Sequence, residues 1–269
     1  MNGLKKIVIF INNNNMNYKK ISCNVRETIL NMITKSKSSH IWSAFSIVDI
    51  LVYIYTNVFK TWDKLIFSKW HAWSALYATL AEIWKVDKNF LINNYCQNWQ
   101  KIWWHVTLWS IDWVDATAWS LWHGLSIWIW LSIWNPNNNT FVILWDWEIN
   151  EWSIWEWFLF APQKKLSNLI VIIDRNWQQA LWHTKDIISL NKLDTILNDL
   201  WWNVLEIDWH NFSEIENAFN NLSKNNPNLI IANTIKWKWV SFMEDNIDFH
   251  YKTPNEDQYN KALYELNNK

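Results

Sequence analysis

Two residues of cation-binding type stand just past two apolar stretches. Asp146 follows "FVILW" and Asn176 follows "NLIVIID", thirty residues apart. In a parallel α/β sheet that spacing is one strand–helix–strand unit. The two side chains would then face each other over neighbouring strand ends, where such sheets bind ligands. A carboxylate, an amide carbonyl and a loop backbone carbonyl suit octahedral Mg²⁺, with phosphate oxygens completing the shell. The same residue types at strand ends also serve as helix caps, and spacing alone leaves both readings open. The surroundings are unusual: "VILWDWEINEW", Val142 to Trp152, sets tryptophan on both sides of Asp146. Tight strand-to-loop turns normally want glycine there, for φ > 0 and for close approach of backbone to ligand.

Apolar periodicity outlines the helices and strands around these residues. "YKKISCNVRETILNMITKS" places Ile21, Val25, Ile29, Met32 and Ile33 on one helical stripe. The loop "SKSSHIWS" leads into an apolar helix, "FSIVDILVYIYTNVF"; the strand "KLIFS" precedes "KWHAWSALYATLAEIW", a loop followed by a helix. Asn94 to Trp119 has no steady period and is rich in Trp, His and Asp, which reads as a long functional loop. Beyond "SLWHGLSIWIWLSIW", strands at "TFVILW", "NLIVIID", "NVLEID" and "NLIIANT" alternate with helices near Trp152–Lys165, Leu190–Leu200 and Phe212–Leu222. Near-continuous apolar strands between amphipathic helices predict one doubly wound α/β domain, its parallel sheet covered by helices on both faces. The domain is expected over residues 17–269, after a polar, asparagine-rich tail at 1–16 expected to be disordered.

Bulk properties narrow the function. A formal net charge of −1 offers no footprint for nucleic acid or an anionic membrane. The run "IVIFI" is too short for a membrane span. Cys23 and Cys96 form neither a disulfide framework nor metal-ligand spacing, which fits a reducing, cytoplasmic setting. The chain holds 27 Trp but only 2 Gly in 269 residues. Ordinary usage would give roughly 19 glycines.

With glycine read for most Trp, several segments resemble transketolases in order along residues 18–269. "LWDWEINEWSIWE" is similar to the family's G-D-G-E-x-x-E-G-x-x-W-E segment, and with "IIDRNWQQALW" it resembles the thiamine diphosphate motif. "SSHIWSAFSIVDIL" is similar to S-G-H-I-G-G, "SKWHAW" to S-K-G-H-A, and "WWHVTLWSIDWVDATAWSLWHGLSIWIW" to G-G-H-P…G-V-D…T-G-S-L-G-x-G-L. "TIKWKWVSFMEDNIDFHYKTPNE" is similar to T-x-K-G-K-G-V-S-x-M-E-x-N…H…K-x-P. Val106, where the family has proline, departs from the pattern.

The resemblance implies roles for particular residues. Asp146, Asn176 and the backbone carbonyl of Gln178 would hold Mg²⁺ against the cofactor's diphosphate, with Trp147 on the glycine that approaches it. Trp119, Ser120 and Leu121 would form the turn against the pyrimidine ring, and Glu151 would be an interface acid linking paired sites. His40, His71, His105 and His250 would line the substrate channel, His71 also reaching the cofactor; imidazoles suit hydroxyl recognition and proton movement near pH 7. His123, His183 and His210 receive no role. The family's pyrimidine-binding domain, which carries the activating glutamate, has no counterpart before the chain closes on "NEDQYNKALYELNNK". The resemblance therefore implies the N-terminal subunit of a split transketolase. It would work with a C-terminal subunit, two of each in a heterotetramer, on sugar phosphates of pentose phosphate metabolism.

Trp155 and Trp202 match tryptophans of the family pattern, Trp157 falls on a small residue, and the others fall on glycines. The expectation is that Trp145, Trp147, Trp152 and most other Trp positions are glycine in the natural protein, encoded by UGA read as glycine. The enzyme alternatives are a deoxyxylulose phosphate synthase or a keto-acid dehydrogenase subunit. If the tryptophans are real, the alternative is a degenerate, non-catalytic subunit.

Overall fold

The computed structural model describes residues 17–38, 41–83, 86–97, 123–179, 182–189, 191–244, 246 and 253–268. The chain begins with α1 (Tyr18–Ser36), α2 (Ile41–Phe45) and α3 (Val48–Tyr53), then β1 (Lys64–Phe67), α4 (Trp73–Glu82) and α5 (Lys88–Asn94). It continues through α6 (His123–Trp134), β2 (Thr140–Trp145), α7 (Trp152–Gln163), β3 (Leu169–Arg175) and a two-residue hairpin, β4 (Gln178–Gln179) and β5 (Trp182–His183). The last elements are α8 (Leu193–Asp199), β6 (Asn203–Asp208), α9 (Phe212–Asn220), β7 (Asn228–Asn233) and α10 (Glu256–Asn267). Five strands pair in parallel in the order β1-β2-β3-β7-β6.

Strict alternation along each central strand divides the core in two. Phe141, Ile143, Ile170, Ile172 and Ile230 pack on the side of α1, α3, α4 and α10. Val142, Leu144, Val171, Ile173 and Ile231 meet Trp128 and Ile129 of α6, Ile154 and Phe158 of α7, and Leu193 and Leu197 of α8. The expected doubly covered parallel sheet is the observed one, and burial on both faces is why its strands carry unbroken apolar runs. No helix among the described residues is long and apolar enough to cross a membrane.

Several local expectations are corrected. The apolar helix expected from Phe45 to Phe59 is broken: α2 starts at Ile41 in the expected loop, a turn at Ser46–Ile47 follows, and α3 gives way to a π-helical turn at Ile54–Val58. The break frees the Ser46 hydroxyl, which donates to Asp174 across the sheet end at 2.8 Å. The helix expected from Leu190 begins at Leu193, after a 3₁₀ turn at Thr184–Asp186. Helix α5, capped by the Asp87 carboxylate on Phe90 N–H, and the β4–β5 hairpin had no periodic signal because both are too short to show one. Of the expected loop Asn94–Trp119, residues from 98 onward lie outside the described residues, as does the tail at 1–16.

Candidate functional site

Asp146 and Asn176 leave neighbouring strands at their carboxyl ends, as their spacing requires. The register pairs Trp145 of β2 with Asp174 of β3, so the residues that follow each strand meet beyond the carboxyl end of the sheet. Asp146 is fully buried, and its Oδ2 accepts from the backbone N–H groups of Asn176 (3.2 Å) and Trp177 (3.0 Å). Asn176 Oδ1 accepts from Gln178 N–H at 3.2 Å, closing a turn around Trp177, which takes the left-handed φ of 62°. The Gln178 carbonyl accepts from Lys236 Nζ at 3.0 Å. Behind Asp146 the chain makes a 3₁₀ turn, Asp146–Asn150, held by Glu148, whose carboxylate accepts from Trp145 N–H (2.9 Å) and from the Ser68 hydroxyl.

A second buried carboxylate stands one layer below. Asp174 accepts from Lys69 Nζ, from the Thr234 hydroxyl and from the Ser46 hydroxyl, and Lys69 Nζ also donates to Ser43 O (2.6 Å) and Ser46 Oγ (2.8 Å). Burial alone would raise the Asp174 carboxyl; the Lys69 ammonium and the three hydrogen bonds bring it below its usual range instead. Asp146 goes the other way. Burial, and then the negative charge of Asp174, push it up to about 7, against the pull of Lys236, the Trp177 N–H and Lys69. The site is therefore short of positive charge at Asp146.

Two buried polar atoms there have no partner, Asp146 Oδ1 and Asn176 Nδ2. An unpaired buried carboxylate oxygen is costly unless something charged meets it. The unpaired Oδ1 of Asp146 thus fits a hard divalent cation, with the Asn176 and Gln178 carbonyl oxygens beside it sharing their lone pairs with Gln178 N–H and Lys236. The free Nδ2 of Asn176 can only donate and suits a phosphate oxygen. Among the described residues no cluster of three His, Cys, Asp or Glu gathers as a metal centre. A diphosphate fits less well with the residues as written. Trp147 packs edge-on against the buried Trp145, ring centroids 5.1 Å apart, and Trp145 in turn meets the His71 ring at 5.0 Å and lies under Lys69 Nζ. A ring at 147 occupies the place where the resemblance needs bare backbone.

His71 lies on a 3₁₀ turn, Trp70–Ala72, directly after β1 and so at the same end of the sheet. Glu151 is half-buried at the N-cap of α7, with its carbonyl on Ile154 N–H at 3.1 Å. His40, His105, His250, Trp119, Ser120 and Leu121 lie outside the described residues. Sequence reasoning passed over Lys69, Asp174, Thr234 and Lys236, the groups that set the charge around Asp146. A signal existed in the charge of Asp174 inside "LIVIIDR", since an ion in a strand buried on both faces must find a counter-ion. His183 is exposed on β5, whereas His210 is buried in a hydrogen-bond bridge.

No family model matches the chain. It is 28% identical over 260 residues to an apulose-4-phosphate transketolase subunit of Phocaeicola vulgatus, covering 90% of each chain. It is 29% identical over 259 residues to a 6-deoxy-6-sulfo-D-fructose transketolase subunit of a Clostridium species, covering 90% of this chain and 93% of that one. Among solved structures, transketolase from Leishmania mexicana superimposes with a TM-score of 0.87 at 18% identity, over 94% of this chain but 41% of that chain. The chain therefore spans less than half of the solved transketolase it matches. It is a relative of transketolase subunits along nine-tenths of its length, and its fold is that of a segment of transketolase.

Proposed function

We propose that the chain is the N-terminal subunit of a two-subunit transketolase, moving a two-carbon ketol unit from a ketose phosphate to an aldose phosphate. The observation that carries this reading is the pair Asp146 and Asn176 on adjacent strand ends, with a buried carboxylate oxygen left unpaired. Residues 17–269 form the domain that takes thiamine diphosphate and Mg²⁺. Asp146, Asn176 and the Gln178 carbonyl hold the cation, and Trp119, Ser120 and Leu121 face the pyrimidine end. The cofactor, when bound, supplies the nucleophilic carbon and the electron sink. The chain's own part is to position it, exclude water and move protons: His40, His71, His105 and His250 bind sugar hydroxyls and relay protons. Glu151 links paired sites across the subunit interface.

A partner subunit with the pyrimidine-binding domain completes the enzyme, two copies of each forming the assembly. The two relatives named as subunits are matched over 90% and 93% of their own lengths, which supports this division. The test is ketol transfer by the purified chain, alone and with that partner. Transfer only by the pair is expected; full turnover by the single chain would refute the two-subunit reading.

Trp145, Trp147, Trp152 and most other tryptophans are glycine in the natural protein, from UGA codons. Backbone geometry supports this reading. Seven non-glycine residues among those described take left-handed φ, and four are Trp177 (62°), Trp201 (65°), Trp237 (61°) and Trp239 (80°). A bulky residue there is a steric outlier. Hydrogen bonding separates the two tryptophans that match family tryptophans from four other buried ones. The indole N–H of Trp155 donates to Ile149 O (2.9 Å) and that of Trp202 to Phe158 O (2.8 Å). The buried indole nitrogens of Trp73, Trp128, Trp147 and Trp209 have no acceptor. Peptide masses from the natural protein decide the matter: a peptide with Trp at both 145 and 147 would favour a degenerate, non-catalytic subunit instead.

A further inference from the structure

We propose that His210, a residue with no role in the site described above, is a positioning residue that closes a circuit of hydrogen bonds and short chain segments joining Asp49 to Asp174, the buried carboxylate beneath Asp146. Its side chain is only 6% exposed. Nδ1 lies 2.7 Å from Asp49 Oδ2, and Nε2 lies 3.0 Å from the backbone nitrogen of Ile235. A backbone N–H can only donate, so Nε2 is the bare, accepting nitrogen. Nδ1 therefore carries the proton and donates to Asp49. Asp49 is fixed from its other side by Arg26, whose two terminal nitrogens reach its oxygens at 2.8 and 2.9 Å, and Arg26 also donates to Phe45 O at 2.9 Å. Burial alone would raise the Asp49 carboxyl, and the Arg26 charge with the His210 and Arg26 hydrogen bonds drives it well below the usual range. It is a firm acceptor for the imidazole.

The ring runs through both walls of the site. Ser46, three residues before Asp49, donates to Asp174 at 2.8 Å. Thr234, immediately before Ile235, donates to the other oxygen of Asp174. Asp174, Ser46, Asp49, His210, Ile235 and Thr234 therefore form one closed circuit, with the imidazole spanning from α3 to the segment after β7. That segment has left the sheet, so Ile235 N–H has no ladder partner and its direction depends on His210. The next residue, Lys236, reaches the Gln178 carbonyl at 3.0 Å. Thr234 is itself held by its N–H on Arg175 O at 3.0 Å. His210 fixes the peptide that follows and so where Lys236 stands, and through it the charge around Asp146, without touching cofactor or sugar.

The inference rests on the cofactor reading above, and its test separates the two. His210→Asn and His210→Gln are compared in the two-subunit complex, made with the residues that peptide masses assign. The shorter amide reaches Asp49 but not Ile235, whereas the glutamine carbonyl reaches Ile235 N–H. With His210→Asn, amide exchange in the peptide spanning 234–244 is expected to quicken up to about tenfold, the net worth of one lost hydrogen bond. Mg²⁺-dependent affinity for thiamine diphosphate is expected to weaken by a similar factor, with KM for the ketose moving less than about threefold. His210→Gln is expected to restore both to within about threefold of the parent. Equal behaviour of the two variants, or parental exchange in His210→Asn, would overturn the proposal. A parent complex that binds no thiamine diphosphate would refute the cofactor reading instead, and the exchange comparison would still decide the ring.

Discussion

Adjacent tryptophans at the end of α8 should respond in opposite directions to the same substitution. Trp201 N–H reaches Asn198 O at 2.9 Å and Trp202 N–H reaches Leu197 O at 3.0 Å, the double bond of a Schellman helix end. Trp201 occupies the left-handed position at φ 65° and is 68% exposed. Trp201→Gly relieves about 1–2 kcal/mol of left-handed strain. Glycine's extra freedom in the unfolded chain returns about 0.5–1 kcal/mol. The net is a gain of about 0.5–1 kcal/mol. Trp202 is 3% exposed and packs edge-on against Phe158. Its indole N–H donates to the Phe158 carbonyl, which Pro162 four residues later cannot serve because proline has no N–H. Trp202→Gly removes a large buried side chain, at about 3–5 kcal/mol, and strands that carbonyl. Urea unfolding in a chain whose other disputed tryptophans are already glycine measures both. Loss of stability at 201, or tolerance at 202, would refute the division of the tryptophans into turn positions and packed ones.

Asp146, at about 7, lies above its unfolded value of 3.8. The metal-free fold therefore loses stability as pH rises from about 4 through 7, where only the unfolded chain has already released the proton. Mg²⁺ requires the ionised form, so its binding should release close to one proton at pH 6 and almost none at pH 8, read by calorimetry in buffers of different ionisation enthalpy. Asp174→Ala strands the buried Lys69 ammonium and should cost about 3–5 kcal/mol in urea unfolding, whereas Lys69→Met combined with Asp174→Leu should recover most of the loss; a neutral single variant would contradict the ionic pair. Asp146→Ala should abolish Mg²⁺-dependent cofactor binding, while His250→Ala should keep that affinity and lower turnover, and calorimetry beside a ketol-transfer assay distinguishes them.

The layers of the fold and the meeting of Asp146 with Asn176 were legible in the amino-acid sequence. Continuous apolar strands alternating with amphipathic helices admit few arrangements, and one strand–helix–strand unit brings successive strand ends together. The sequence also raised the question of the tryptophans at turn positions, because backbone requirements at tight turns are local. What surrounds the pair was not legible there, because it depends on contacts between distant segments. Lys69 meets Asp174 across 105 residues, and His210 meets Asp49 across 161. Such partners are chosen by the order β1-β2-β3-β7-β6, in which a late strand inserts between β3 and β6 and delivers Thr234 and Lys236 to the ends of earlier ones. Local periodicity carries no record of that insertion. Which buried ion finds which counter-ion is settled by packing, since burying any charge unpaired costs more than the local chain can offset.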